Sequence, residues 1–76
     1  MRELLITLAQ ALVARPERVR VSREDAGDEM LLRLSVAPKD RGRVIGRNGR
    51  TVDALRTVLD AVARCHGGRC QVEIGE

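Results

Sequence analysis

Two glycines separated by two polar residues, in Val44-Ile45-Gly46-Arg47-Asn48-Gly49-Arg50, are the residues of this chain best suited to hold a ligand. Glycine at that spacing lets the backbone turn tightly and lets a second backbone come close. A helix-like pattern follows, so the turn opens onto a helix N-terminus, whose N–H groups and positive dipole end favour a phosphate. Arginines at 41, 43, 47 and 50 surround it. The chemistry that suits these residues is capture of a phosphodiester, and single-stranded RNA is the polymer to expect first.

Charge gathers on the same segment. The 76 residues carry a formal net charge of +3. Residues 1–30 hold five basic and six acidic groups, residues 31–76 hold nine and five, and residues 39–50 alone hold five and one. A positive excess placed on a glycine turn is the electrostatic footprint of a polyanion binder. A solvated basic loop would explain the charge but not the glycines. Arg41, Arg43 and Arg50 are open to both readings, as phosphate contacts or as ordinary solvated side chains. Arg56, further along the following helix, has a weaker claim, and Lys39 is peripheral.

Thirteen of the fourteen basic residues are arginine. Arginine suits bidentate phosphate contacts, although a GC-rich genome gives the same bias. Phe, Tyr and Trp are absent. Bases therefore cannot stack on aromatic side chains, and any grip on nucleic acid must come from backbone, arginine planes and an aliphatic groove.

The other reactive side chains do not assemble into a catalytic set. Cys65, His66 and Cys70 offer three candidate metal ligands, where structural zinc takes four, usually in two pairs. Cys70 shares a strand face with Val72 and Ile74, which reads as core. A disulfide between the two cysteines runs against the expected cytosolic location. Gly42, Gly46 and Gly49 echo a nucleotide-binding loop, but the Lys-Ser/Thr of a P-loop is replaced by Arg50-Thr51, and no strand precedes the turn as a dinucleotide fold requires. With one histidine and no triad or carboxylate pair, no enzyme activity and no cofactor or metal are expected.

The elements around the turn follow from periodicity. Leu4, Leu5, Leu8, Ala9 and Leu12 predict an amphipathic helix over 2–14, ended by Arg15-Pro16. Residues 18–23 alternate as a strand, 25–28 form a turn, and Met30, Leu32, Leu34 and Val36 mark a second, more apolar and central strand. Pro38 closes it. One or two helical turns over 39–45 face Val44 and Ile45 inward. Val52, Leu55, Val58, Leu59 and Val62 predict a helix over 50–65, stopped at Gly67-Gly68 with a left-handed cap. Cys70, Val72 and Ile74 alternate as a last strand. Seventy-six residues make one domain with a modest core, and the order gives a two-layer α+β fold. Arg and Asp interrupt every apolar run, so no membrane span is expected, and no cleavage site marks a signal peptide.

A G-x-x-G between two helices, in this order of elements, resembles the KH domain, and the leading helix resembles its type II form. Together with Ala37-Pro38, Gly42-Arg43-Val44-Ile45-Gly46 and Val72-Glu73-Ile74, the chain is similar throughout its length to the small bacterial single-KH family known as KhpA. The resemblance implies a three-stranded mixed sheet with helices on one face and the last strand parallel to the central one. It implies that Gly46, Arg47, Asn48 and Gly49 clamp the backbone of about four nucleotides, with Arg47 the cationic contact and Asn48 a neutral donor. It places Val44, Ile45, Leu32, Leu34 and Val36 beneath an apolar groove or in the core. It also implies an RNA-binding, chaperone-like role, a larger KH-containing partner of the KhpB type, a link to cell envelope growth and cell shape, and a homodimer. Arg41-Gly42-Arg43 and the helices beside the turn are the surface offered for dimerisation. The competing expectation is a protein-interaction module whose partner supplies the main RNA contact.

Overall fold

The computed structural model describes residues 1–75. Helix α1 (Arg2–Leu12) leads into strands β1 (Arg20–Ala26) and β2 (Glu29–Ser35). The short helix α2 (Arg41–Ile45), the long helix α3 (Arg50–Cys65) and strand β3 (Arg69–Ile74) follow. Single 3-10 turns at Pro16–Arg18, Pro38–Asp40 and Arg47–Gly49 join them. The sheet order is β1-β2-β3. β1 pairs antiparallel with β2, Val21 opposite Leu34, and β3 pairs parallel with β2, Val72 opposite Leu32. The apolar β2 is central, as its composition predicts, because a strand flanked on both edges buries most.

The helices cover one face of this sheet. Leu5 and Ala9 of α1, Val44 of α2 and Leu55, Leu59 and Ala63 of α3 meet Val21, Leu32, Leu34, Val36, Cys70 and Val72. Leu5, Leu32, Leu34, Val44 and Leu59 are fully buried, and truncating such a leucine to alanine costs about 2–5 kcal/mol. The opposite face carries charged pairs such as Arg33–Glu73 at 3.2 Å.

The structure differs from the sequence-derived expectations in boundaries and in burial: β1 begins at Arg20 and α2 at Arg41. The first helix ends at Leu12 rather than 14, because the Ala14 and Arg15 N–H groups donate to Asp40 at 3.1 and 3.0 Å instead of continuing the helix. The hairpin turn is shorter than 25–28: Ala26 still pairs with Glu29, leaving Gly27-Asp28 as a two-residue turn with Gly27 at φ 65°. Leu32, Leu34, Val36 and Val44 are core, while Ile45 is half-buried. Val58 is 47 % exposed, since the buried line of α3 runs through Val52, Leu55, Leu59 and Ala63. Helix α3 itself spans the predicted 50–65. It ends in a Schellman arrangement around Gly67 (φ 83°), with Gly68 N–H donating to Ala63 at 3.0 Å and Gly67 N–H to Arg64 at 3.1 Å.

Candidate nucleic-acid interface

The turn 46–49 is built by two glycines doing different things. Gly46 sits at φ 78°, ψ 172°, and a Cβ there would collide with Thr51, 2.8 Å from its backbone nitrogen and closer still to its hydroxyl. Its requirement is structural, since both the dihedral and the space exclude a side chain. Gly49 also has positive φ, 75°, but a Cβ there would point into open space. That position leaves room for an approaching ligand. Asn48 lies between them at φ 57°, ψ 26°, a left-handed conformation that asparagine tolerates better than most residues. Gly46 N–H donates to Gly42 at 2.9 Å and Gly49 N–H to Gly46 at 3.1 Å, so α2, turn and α3 form one continuous bend. No side chain caps the N-terminus of α3.

Around this bend the candidate cations differ in what they do. Arg47 and Arg50 are exposed, and among the described residues neither has a carboxylate within 4 Å. Arg41 is half-buried, and its Nε has no hydrogen-bond partner. Arg43 is committed: its Nε lies 3.3 Å from Asp40, although 61 % of the side chain stays exposed. Of the residues expected from the sequence to form the site, Gly46, Arg47, Asn48, Gly49 and Arg50 lie together at the bend. Arg41, Arg43 and Ile45 lie on the adjoining α2, with Arg43 against the Asp40 carboxylate, a group with no expected role.

That carboxylate, Asp40, is 2 % exposed. It accepts from Ala14 and Arg15 and pairs with Arg43, so it ties the end of α1 to the start of the helix that carries the turn. It was visible in the sequence as the one acid among five basic residues in 39–50. Its partners 25 and 26 residues away left no periodic trace.

Beyond the turn a groove runs between α3 and the outer edge of β3, lined by Arg56, Thr57, Asp60, Ala61, Cys70 and Val72 among others. Arg56 donates to the Val72 carbonyl at 3.1 Å and to Asp53 at 3.2 Å. Asp60 accepts the Cys70 N–H at 3.0 Å and pairs with Arg64 at 2.9 Å and Arg69 at 3.2 Å. The Cys70 backbone hydrogen bond, aided by Arg69 and Arg64 against partial desolvation, holds the Asp60 carboxyl below its ordinary value of 3.8. Burial pushes the Cys70 thiol up, with the Asp60 charge adding to it.

Cys65 and Cys70 are free thiols. Cys70 is buried in the core, whereas Cys65 is exposed at the end of α3. His66 Nδ1 donates to the Val62 carbonyl at 3.0 Å in the tautomer that geometry requires. These three side chains thus serve separate environments. No helix among the described residues is long and apolar enough to cross a membrane.

This architecture and turn have relatives. The model of the KH domain of KhpA and KhpB matches residues 2–74. The RNA-binding protein KhpA of Clostridium acetobutylicum is 45 % identical over 74 residues, covering 97 % of this chain and 99 % of that protein. The RNA-binding protein KhpA of Halalkalibacterium halodurans is 45 % identical, covering 97 % of both chains. That of Chlamydia pneumoniae is 41 % identical over 76 residues, covering 100 % of this chain and 97 % of the relative. No solved structure matches. An α+β fold with a parallel third strand, a glycine bend between two helices and matches over nearly the whole chain lead to one assignment: the chain belongs to the KhpA/KhpB KH-domain family.

Proposed function

We propose that this chain is an RNA-binding module that holds the backbone of single-stranded RNA at the turn 46–49. The observation that carries the reading is the pairing of an uncovered glycine, Gly49, with Arg47 and Arg50, which have no acidic partner among the described residues. Phosphates would lie against these arginines and the N-terminus of α3, with Asn48 as a neutral donor and Arg41, Arg43 and Ile45 completing the approach. Phosphate contacts dominate such a grip, so binding weakens steeply with salt. One module of this size reads few bases. Useful affinity then comes from a dimer or from a larger KhpB-type KH partner, through effective concentration. By family likeness the activity belongs to the cytoplasm, as RNA-chaperone or post-transcriptional control tied to cell envelope growth and cell shape.

A second reading, docking of a protein partner, is favoured by a specific surface. Ala54, Val58 and Ala61 are exposed at successive turns of one α3 face. This face beside the turn suits a homodimer or a partner helix better than Arg41-Gly42-Arg43, because Arg43 is held by Asp40.

The deciding experiment is fluorescence anisotropy of a labelled single-stranded RNA at two salt concentrations. The label sits on the RNA because the chain has no Trp or Tyr. Wild type is compared with an Arg47→Asp, Asn48→Asp variant. Salt-sensitive binding that the variant loses with unchanged circular dichroism is the expected result. Equal binding by both, or binding by neither, overturns the clamp and moves the RNA contact to a partner.

A further inference from the structure

The groove between α3 and β3 contains one arginine anchored on two elements. Arg56 uses Nε for the Val72 carbonyl of β3 and Nη1 for Asp53 of its own helix. A guanidinium is planar, and its N–H groups lie in that plane. Both bonds therefore engage its edge and fix the orientation of the plane, leaving its faces free of hydrogen bonds. The side chain is 48 % exposed. Arg64 and Arg69, in the same groove, each reach only the Asp60 carboxylate, through Nε, among the described residues.

The chain has no aromatic residue. A base leaving the turn finds no ring to stack on, and a guanidinium plane is the alternative surface for an unpaired base. Arg56 lies six residues beyond Arg50, about 9 Å along the helix axis. That is within reach of a base next to a backbone held at the bend. We infer that Arg56 is a base-stacking platform, a pinned guanidinium that supplies the flat surface other single-strand binders take from aromatic side chains. The inference rests on the RNA reading above and adds to it a purine preference at one position, since a purine covers more of the plane.

The test uses RNA oligomers carrying one abasic nucleotide, moved along the sequence, titrated against wild type and Arg56→Lys. Lysine keeps the charge and a donor for Val72 but has no plane. In wild type, removing one particular base should weaken binding about threefold, the scale of an exposed cation–π contact. In Arg56→Lys that position-specific penalty should vanish while the salt dependence stays that of wild type. Equal penalties in both proteins, or no penalty at any position in wild type, overturn the platform and leave the clamp standing. A uniform loss at all positions together with a lower melting temperature reduces Arg56 to a tie between α3 and β3, which also overturns it. If wild type binds no RNA, or binds equally with the turn charges reversed, the clamp itself fails and the platform with it.

Discussion

At the turn end of the molecule Arg47 and Arg50 have no carboxylate partner among the described residues, and Arg43 pairs with the buried Asp40; at the hairpin end the arginines are tied down. β2 runs from one end to the other, about 23 Å over its seven residues. Beside the hairpin, Arg23 pairs with Asp25 at 3.0 Å and Arg69 with Asp60 at 3.2 Å, while Glu24, Asp28 and Glu29 add negative charge. Beside the bend, Arg41, Arg47 and Arg50 have no carboxylate within 4 Å among the described residues: Asp40 is buried beneath Arg43, and Asp53, in the first turn of α3, pairs with Arg56. Arginine count is therefore a poor guide to function in a chain so rich in it. Under the proposed function, what sets Arg47 and Arg50 apart as phosphate contacts is the absence of a carboxylate partner among the described residues, and a basic end facing away from an acidic end orients a polyanion as it approaches.

The strongest way to break this contrast is to remove the turn. Gly46→Ala should cost at least about 2 kcal/mol, since a positive φ and contact with Thr51 act together. It should abolish RNA binding, whereas Gly49→Ala, without a clash, should cost about 1 kcal/mol. Melting followed by circular dichroism separates the two. Next in size, Asp40→Ala leaves two N–H groups and Arg43 without their acceptor. It should lower stability by about 2 kcal/mol and free the end of α1 from α2, visible as faster amide exchange at Ala14 and Arg15.

The comparison is sharpened by truncating one arginine from each end. Arg47→Ala should weaken RNA binding about fivefold at low salt and flatten the log–log salt slope by about 0.7, as expected for one lost phosphate contact on a single strand. Arg23→Ala should change affinity by less than about twofold, because an exposed ion pair contributes little and its cation is already matched. A larger effect of Arg23 than of Arg47 in anisotropy titrations would reverse the assignment of the two ends.

The smallest effect is a pH dependence. The Asp60 carboxyl is held below its ordinary value of 3.8, so it contributes stability that is present above that value and lost as pH falls through the lower, folded one. Asp60→Asn should flatten the decline in melting temperature below about pH 4 and leave neutral-pH RNA affinity unchanged.

Much of this was legible in the chain. Helix α3 was readable from Val52, Leu55 and Leu59 at helical spacing, and the bend from Gly46 and Gly49. Val58 misled because it falls beside the buried line rather than on it, a difference of one position that apolar type cannot signal. The extension of β1 to Ala26 was hidden because Asp25-Ala26-Gly27-Asp28 looks like a turn, and only pairing with β2 makes Asp25 and Ala26 strand. Asp40 and Arg56 were opaque for a common reason. Their roles depend on backbone groups of Ala14, Arg15 and Val72, and a backbone N–H or carbonyl has no side-chain identity to read.

Helix α3 begins on a glycine with no side chain to cap it. Sixteen residues of aligned peptide dipoles start from an end whose first-turn acid, Asp53, is already paired with Arg56. Under the proposed function, the phosphate of the bound strand is the missing cap, and nucleic acid becomes a structural component of the helix it touches. Binding and folding are then linked equilibria: saturating RNA should raise the melting temperature, and added salt should erase that gain in step with the affinity.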